Sequence, residues 1–139
     1  MSNIAAFFRA WGWSLLIMTV IFAFSSLPSN EIPRFGWVDF LVKKGGHMTG
    51  YALLAAANLR ALQLDRAGDA GGGHKIRPYG LAFLIAVLYS ATDEWHQSFV
   101  PGRHPTLTDI GIDALGAILG LSLRAVYQLK KQKSGAQPL

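Results

Sequence analysis

The chain has 139 residues, of which 51% are hydrophobic and 15% charged, and it carries a net charge of +5. A soluble domain of this length carries about 25% charge, so the composition points to a membrane protein. The absence of cysteine excludes disulfides, thiolate metal sites and cysteine nucleophiles, and the basic residues lie between apolar runs rather than in one patch, which argues against a nucleic-acid partner.

The pattern predicts an all-α membrane protein, one domain over residues 1–139, built as a bundle of four transmembrane helices with both termini cytoplasmic. Each apolar stretch approaches the roughly 20 residues that a helix needs to cross the hydrocarbon. The first runs from about Phe8 to Leu27. It begins near Arg9, Trp11 and Trp13, side chains suited to a membrane interface. A cleavable signal peptide is the rival, with Ala23-Phe24-Ser25 as a small-x-small site; the tryptophans and the length favour a retained helix.

An outward loop, Pro28–Gly46, leads to the second span at about His47–Leu64. This is the weakest of the four, because it contains Asn58 and Arg60, although its alanines suit helix contact in lipid. The glycine-rich connection Asp65–Pro78 resembles a phosphate-cradling loop only superficially. No Ser or Thr follows Lys75 and no strand precedes it, so it reads as a flexible linker. The third span, about Tyr79–Phe99, ends on Asp93-Glu94-Trp95-His96-Gln97. A second outward loop, Ser98–Thr106, contains the turn signal Pro101-Gly102. The fourth span, about Leu107–Leu129, opens on Thr106-Leu107-Thr108-Asp109, a capping box with Asp in place of Glu. Residues 130–139 read as a frayed basic tail drawn to anionic headgroups. Nine of the 13 basic residues (Arg9, Arg60, Arg66, Lys75, Arg77, Arg124, Lys130, Lys131 and Lys133) fall on one side of this arrangement. Arg34, Lys43, Lys44 and Arg103 fall on the other, which sets the orientation by the positive-inside bias.

Ionisable residues within a span each cost roughly 2.5–3.5 kcal/mol on insertion scales, so they mark candidate sites. Three polar faces follow from helical spacing. They are Lys44, His47 and Tyr51; Tyr89, Asp93 and Gln97, overlapped by Ser90 and Glu94; and Asp109 and Asp113, aligned with Gly116 and Gly120. Asp113 lies about 9 Å below the start of its helix, too deep for a short carboxylate to reach water easily. The faces are expected to turn inward and meet. Gly116 and Gly120 form a small-xxx-small packing surface, with Gly111 as a further smooth point.

The expected catalytic groups are His47, Asp93, Glu94 and Asp113. Asp93 or Glu94 would be general base or nucleophile, His47 would do acid–base work, and Asp113 would orient His47 or a basic residue. Lys44, Tyr51, Gln97, Arg103 and Asp109 are the expected binding groups, Arg103 being suited to bidentate phosphate or carboxylate recognition. His96 lies off the polar face, and His104 reads as a solvated loop residue. A plainer reading pairs Asp93 and Glu94 with Lys44 or Arg103 as structural ion pairs. No cofactor and no compact metal signature is present. A divalent cation on His47, Asp93, Glu94, Asp109 and Asp113 is the alternative, its oxygen-rich ligands favouring Mg²⁺, Mn²⁺ or Ca²⁺ over zinc.

Lys44-x-x-His47-x-x-x-Tyr51, Asp93-Glu94-x-His96-Gln97, Pro101-Gly102-Arg103 and Asp109-x-x-x-Asp113-x-x-Gly116-x-x-x-Gly120 together resemble the VanZ-like membrane protein family. Phe24-Ser25-Ser26-x-Pro28 resembles its first signature, so the likeness runs from about Phe22 to Gly120. Gly50 stands where an acid is expected. The resemblance implies a small multi-pass protein of the bacterial inner membrane, linked through the family's name-giving member to resistance against teicoplanin and related glycopeptides. It supplies no reaction. The residues themselves suggest an anionic cell-envelope lipid, or a lipid-linked precursor, as partner. The alternatives are a non-catalytic scaffold or ligand-binding protein and a proton-coupled transporter. The transporter fits least, because the ionisable groups gather at one end rather than at the midplane.

Overall fold

In the computed structural model, which describes residues 3–28, 36–66 and 77–135, the protein is helical as expected. Its elements are α1 (Asn3–Ser25), α2 (Trp37–Arg66), α3 (Arg77–Gln97) and α4 (Leu107–Gly135). Pro78 sits in the first turn of α3, where its missing N–H costs nothing. The turn after α3 uses Gly102 at φ 75°, a left-handed conformation that glycine adopts without strain.

Two boundaries differ from expectation. Residues 37–46, read as loop, are the first turns of α2. Gly45 and Gly46 each cost an isolated helix about 1 kcal/mol. In the folded chain they sit inside a helix packed on its neighbours, and the Thr49 hydroxyl donates to the Gly45 carbonyl at 2.8 Å. The basic tail, read as frayed, continues α4 as far as Gly135. Lysine and glutamine are good helix formers, and cations are favoured at a helix C-terminus by the macrodipole. The glycine-rich stretch before Lys75, and Arg34, lie outside the described residues.

The interior combines small and polar residues with a short apolar cluster around Tyr51, Leu54 and Leu59, whereas the exterior is large and apolar. α1 buries Ala10, Ser14, Ile21 and Ser25 while exposing Phe8, Trp13, Leu16, Val20 and Phe24. Ala55, Asn58, Ala82, Ala86, Ser90 and Ala117 are buried on the other helices. In water such an exterior would be an adhesive patch, but in lipid it is the solvent-matched surface, and small inward residues let helices approach closely. Among the described residues, α1 and the Leu107–Ser134 part of α4 are long and apolar enough to cross a membrane. α2 and α3 are not among them, since Lys43, Lys44, His47, Asn58 and Arg60 interrupt the first, and Asp93, Glu94, His96 and Gln97 end the second.

The most extensive contact joins α2 to α4. A Cβ on Gly116 would collide with the Met48 carbonyl, and one on Gly120 with the Ala52 carbonyl. The pairing advances by one turn on both helices, so α2 and α4 run parallel with their backbones in contact. Gly111, expected to be a third smooth point, faces open space. α3 packs against both α2 and α4, and α1 lies mainly on α2. At the far end, Trp11 donates to Asp65 at 2.8 Å and Arg60 donates to the Arg9 carbonyl at 3.2 Å. Arg60, which weakened the second span as a sequence, thus spends its charge on α1. There too, Tyr79 donates to Gln128 at 2.8 Å.

Gly116→Ala and Gly120→Ala should each lower stability by about 1–3 kcal/mol or more, the range for overpacking a tight contact. Gly111→Ala should be neutral or slightly stabilising, because its Cβ meets nothing and alanine favours helix. Thermal unfolding of the three variants in detergent checks the contrast; equal effects at the three positions would contradict the packing.

Candidate functional site

Because successive helices alternate in direction, the C-terminal ends of α1 and α3 meet the N-terminal ends of α2 and α4. The polar faces expected from sequence gather there. In the last two turns of α3, Ser90, Asp93, Glu94 and Gln97 are all buried, as helical spacing places them on one stripe. The stripe then divides. Asp93 turns to α1, where Ser25 Oγ donates to its Oδ2 at 2.7 Å and Gln97 Nε2 donates to the same oxygen at 3.0 Å.

Glu94 turns to a cleft of about 150 Å³ whose lining includes Lys43, Lys44, His47, Gln97, Arg103, His104, Asp109 and Asp113. Asp113 is only 2% exposed. Ser90 Oγ donates to its Oδ2 at 2.7 Å, and its Oδ1 lies 3.6 Å from His47 Nδ1. Glu94 Oε1 accepts from Gln97 at 3.4 Å. Asp93 Oδ1 is buried with no hydrogen-bond partner among the described residues, and the Glu94 carboxylate faces the Thr106 backbone N–H. His47, Glu94 and Asp113 each present one possible ligand atom, all within 4.8 Å of one another.

The chain matches the VanZ/LLP1 family over residues 2–128. It belongs to that family. No curated protein and no solved structure matches it. The structure gives physical content to the VanZ-like motifs. The Ser25-Ser26 pair that closes α1 supplies a hydroxyl to Asp93 and places another 3.1 Å from His96 Nε2. His96 also stacks on Phe22 at 4.3 Å between ring centres, so it joins α1 to α3 away from the cleft. Neither serine was singled out as a site residue by sequence. From sequence, Ser25 read as the end of a small-x-small site, and both serines stood only within the first family signature.

Arg103, expected to hold an anion, donates to the Phe24 carbonyl at 3.1 Å and the Leu27 carbonyl at 3.3 Å. It satisfies backbone acceptors that the end of α1 leaves open, while still lining the cleft. Lys44 forms an ion pair with Asp109. Thr106 caps α4, with Asp109 N donating to Thr106 Oγ1 at 3.3 Å and that hydroxyl donating to Asp109 Oδ2 at 3.0 Å; the Thr106 backbone N–H, which a capping box would return to Asp109, faces Glu94 instead. The ion pairs considered from sequence, Asp93 or Glu94 with Lys44 or Arg103, do not form among the described residues; the two basic groups are drawn to the nearer Asp109 carboxylate and α1 carbonyls. Tyr51 is fully buried in the core, its ring 6.2 Å from that of His47, beneath the cleft rather than in it. A side chain at Gly50 would set out toward Ile21 of α1, 3.3 Å from the Cβ position. The missing acid therefore concerns the α1–α2 contact.

Ser25→Ala should cost about 1.5–3 kcal/mol, typical of losing one hydrogen bond to a charged group, since Gln97 still donates to the same oxygen. In a double-mutant cycle measured by thermal unfolding, Ser25→Ala and Asp93→Asn should couple strongly. Ser25→Ala and Ser90→Ala, which serve different carboxylates, should be close to additive.

Proposed function

We propose that this VanZ-like chain is a four-span protein of the bacterial cytoplasmic membrane, with both termini in the cytoplasm. In this reading its cleft binds, and acts on, an anionic cell-envelope lipid or lipid-linked precursor at the outer leaflet. One observation carries the proposal: three basic side chains (Lys43, Lys44 and Arg103) and three acid–base groups (His47, Glu94 and Asp113) line one cleft at a single end of an otherwise apolar bundle. That end coincides with headgroup depth if the helices cross the membrane. The basic residues and the N-terminus of α4 favour a negative ligand. A cleft of about 150 Å³ is below the 300–1,000 Å³ typical of whole small-molecule sites, so it suits a headgroup whose acyl chains lie along the apolar exterior.

Within this reading His47 exchanges a proton with the bound headgroup, Glu94 acts as base or nucleophile, and Asp113 orients His47 from a position fixed by Ser90. Asp93 holds α1 against α3 and supports the site without entering it. A second reading, a non-catalytic scaffold, is favoured by the Ser25–Asp93–Gln97 network, which joins α1 to α3. The two readings are separated by Glu94→Gln, which retains hydrogen bonding but not basicity. The catalytic reading expects loss of function with folding and lipid retention preserved, whereas the scaffold reading expects function to survive. A link to glycopeptide tolerance belongs to the same proposal, and deletion of the gene followed by a teicoplanin susceptibility assay tests it.

The cysteine-free sequence offers a clean test of orientation. His104→Cys should react with a membrane-impermeant maleimide on intact cells, and Lys133→Cys only after permeabilisation; labelling of both from one side would overturn the topology. For the ligand, native mass spectrometry should show retention of phosphatidylglycerol over phosphatidylcholine. The preference should fall about tenfold or more in Lys43→Ala/Lys44→Ala, as expected for losing hydrogen bonds to a charged group. Equal retention of the two lipids would refute an anion site.

A further inference from the structure

We propose that His47, Glu94 and Asp113 bind one divalent first-row transition-metal ion, Mn²⁺ or Zn²⁺, in the cleft. The three residues come from three different helices, and their candidate ligand atoms lie within 4.8 Å of one another. Two ligands each about 2.1 Å from a metal stand roughly 3.4 Å apart in a tetrahedral site and at most about 4.2 Å apart in any site. The His47–Asp113 separation of 3.6 Å is long for a hydrogen bond but close to the spacing of two ligands on a common ion. Bringing a gap of 4.8 Å to the tetrahedral spacing requires a shift of up to about 1.4 Å, within reach of a glutamate side chain.

The carboxylates are prepared for such an ion. One oxygen of Asp113 is fixed by Ser90 at 2.7 Å, which leaves Oδ1 on the His47 side. One oxygen of Glu94 accepts from Gln97 at 3.4 Å. Glu94 is only 5% exposed, and its carboxylate faces the Thr106 backbone N–H as well as Gln97. Burying a carboxylate oxygen unpaired costs several kcal/mol unless a cation or donor meets it. Side-chain donors that hold one oxygen while the other faces a common point act as the outer shell of metal sites does.

The donor set also narrows the metal. Sequence alone suggested up to four carboxylates and one imidazole, a set for Mg²⁺, Mn²⁺ or Ca²⁺. The fold diverts Asp93 to Ser25 and Asp109 to Lys44, leaving two carboxylates and one nitrogen. Imidazole suits later transition metals and carboxylates suit harder ones, so the mixed set falls at Mn²⁺ and Zn²⁺. Three protein ligands leave coordination positions open toward Lys43, Lys44 and Arg103, where a phosphate or carboxylate oxygen of the ligand would complete the shell. That role rests on the lipid reading above, with His47 and Glu94 then serving as ligands in place of the proton-transfer and nucleophilic roles given there, although binding of the ion itself does not.

The test uses the full chain, purified in detergent, stripped with a chelator and titrated with Mn²⁺ or Co²⁺ alone. One ion per chain should bind saturably, and pulsed electron paramagnetic resonance of the Mn²⁺ form should show nitrogen coupling from one imidazole. Glu94→Gln and Asp113→Asn should each weaken binding at least ~100-fold, since even outer-shell changes cost 10–100-fold. Asp65→Asn, at the opposite end, should change nothing. Circular dichroism establishes that the variants fold; should they not, nitrogen coupling in the unaltered protein decides the matter. Absence of saturable binding, absence of that coupling, or affinity unchanged in the folded variants overturns the site. Phosphatidylglycerol retention with chelator present separates the two ideas. Retention without metal binding sinks the metal site alone, and metal binding without lipid preference sinks only the lipid reading.

Discussion

The contact on which the rest depends is the backbone approach of α4 to α2. Gly116 and Gly120 lie against the carbonyls of Met48 and Ala52 with no room for a methyl group. His47 is the residue next to Met48, and Asp113 lies one helical turn before Gly116. The close approach therefore sets the distance between the imidazole and the carboxylate. In a membrane, where apolar side chains gain little by leaving lipid for each other, such close packing is a main source of helix association. Structure and site thus share one cause.

The small interior has a second effect. Helices separated by alanine, serine and glycine leave little volume to fill, so short polar side chains can bridge between them. Ser25 reaches Asp93 and Ser90 reaches Asp113 directly. A bundle packed on leucine and phenylalanine would hold these groups too far apart. Each bridge also meets a demand: a carboxylate withdrawn from water needs donors, and a hydroxyl one residue type away from alanine supplies one at almost no cost in volume. The polar network and the small-residue packing depend on each other.

The end of α3 divides labour between neighbouring acids. Asp93 and Glu94 differ by about 100° around the helix, enough to send one to α1 and the other to the cleft between α2 and α4. Asp93, with His96 stacked on Phe22 and Arg103 on the terminal carbonyls of α1, fastens the first helix to the rest. Glu94 is free to line the cleft because Asp93 carries that structural duty. Two adjacent acids that look redundant in one dimension are assigned to separate tasks in three.

Much was legible from the chain alone. The helical class followed from apolar runs and from the near absence of charge within them. The gathering of His47, Glu94 and Asp113 at one end followed from spacing and alternating direction, and the role of Gly116 and Gly120 from their four-residue interval. The register between helices was not legible, because a period of 3.6 residues says which side chains share a face but not which neighbour that face meets. Only the packed bundle decided that Lys44 meets Asp109, that Arg103 closes the end of α1, and that Tyr51 lies below the cleft. It also decided that Gly45 and Gly46 are helical, since contact with neighbouring helices outweighs a local propensity of about 1 kcal/mol per glycine. Periodicity is local and belongs to the sequence; partnership depends on how separate helices dock, and only tertiary structure sets it.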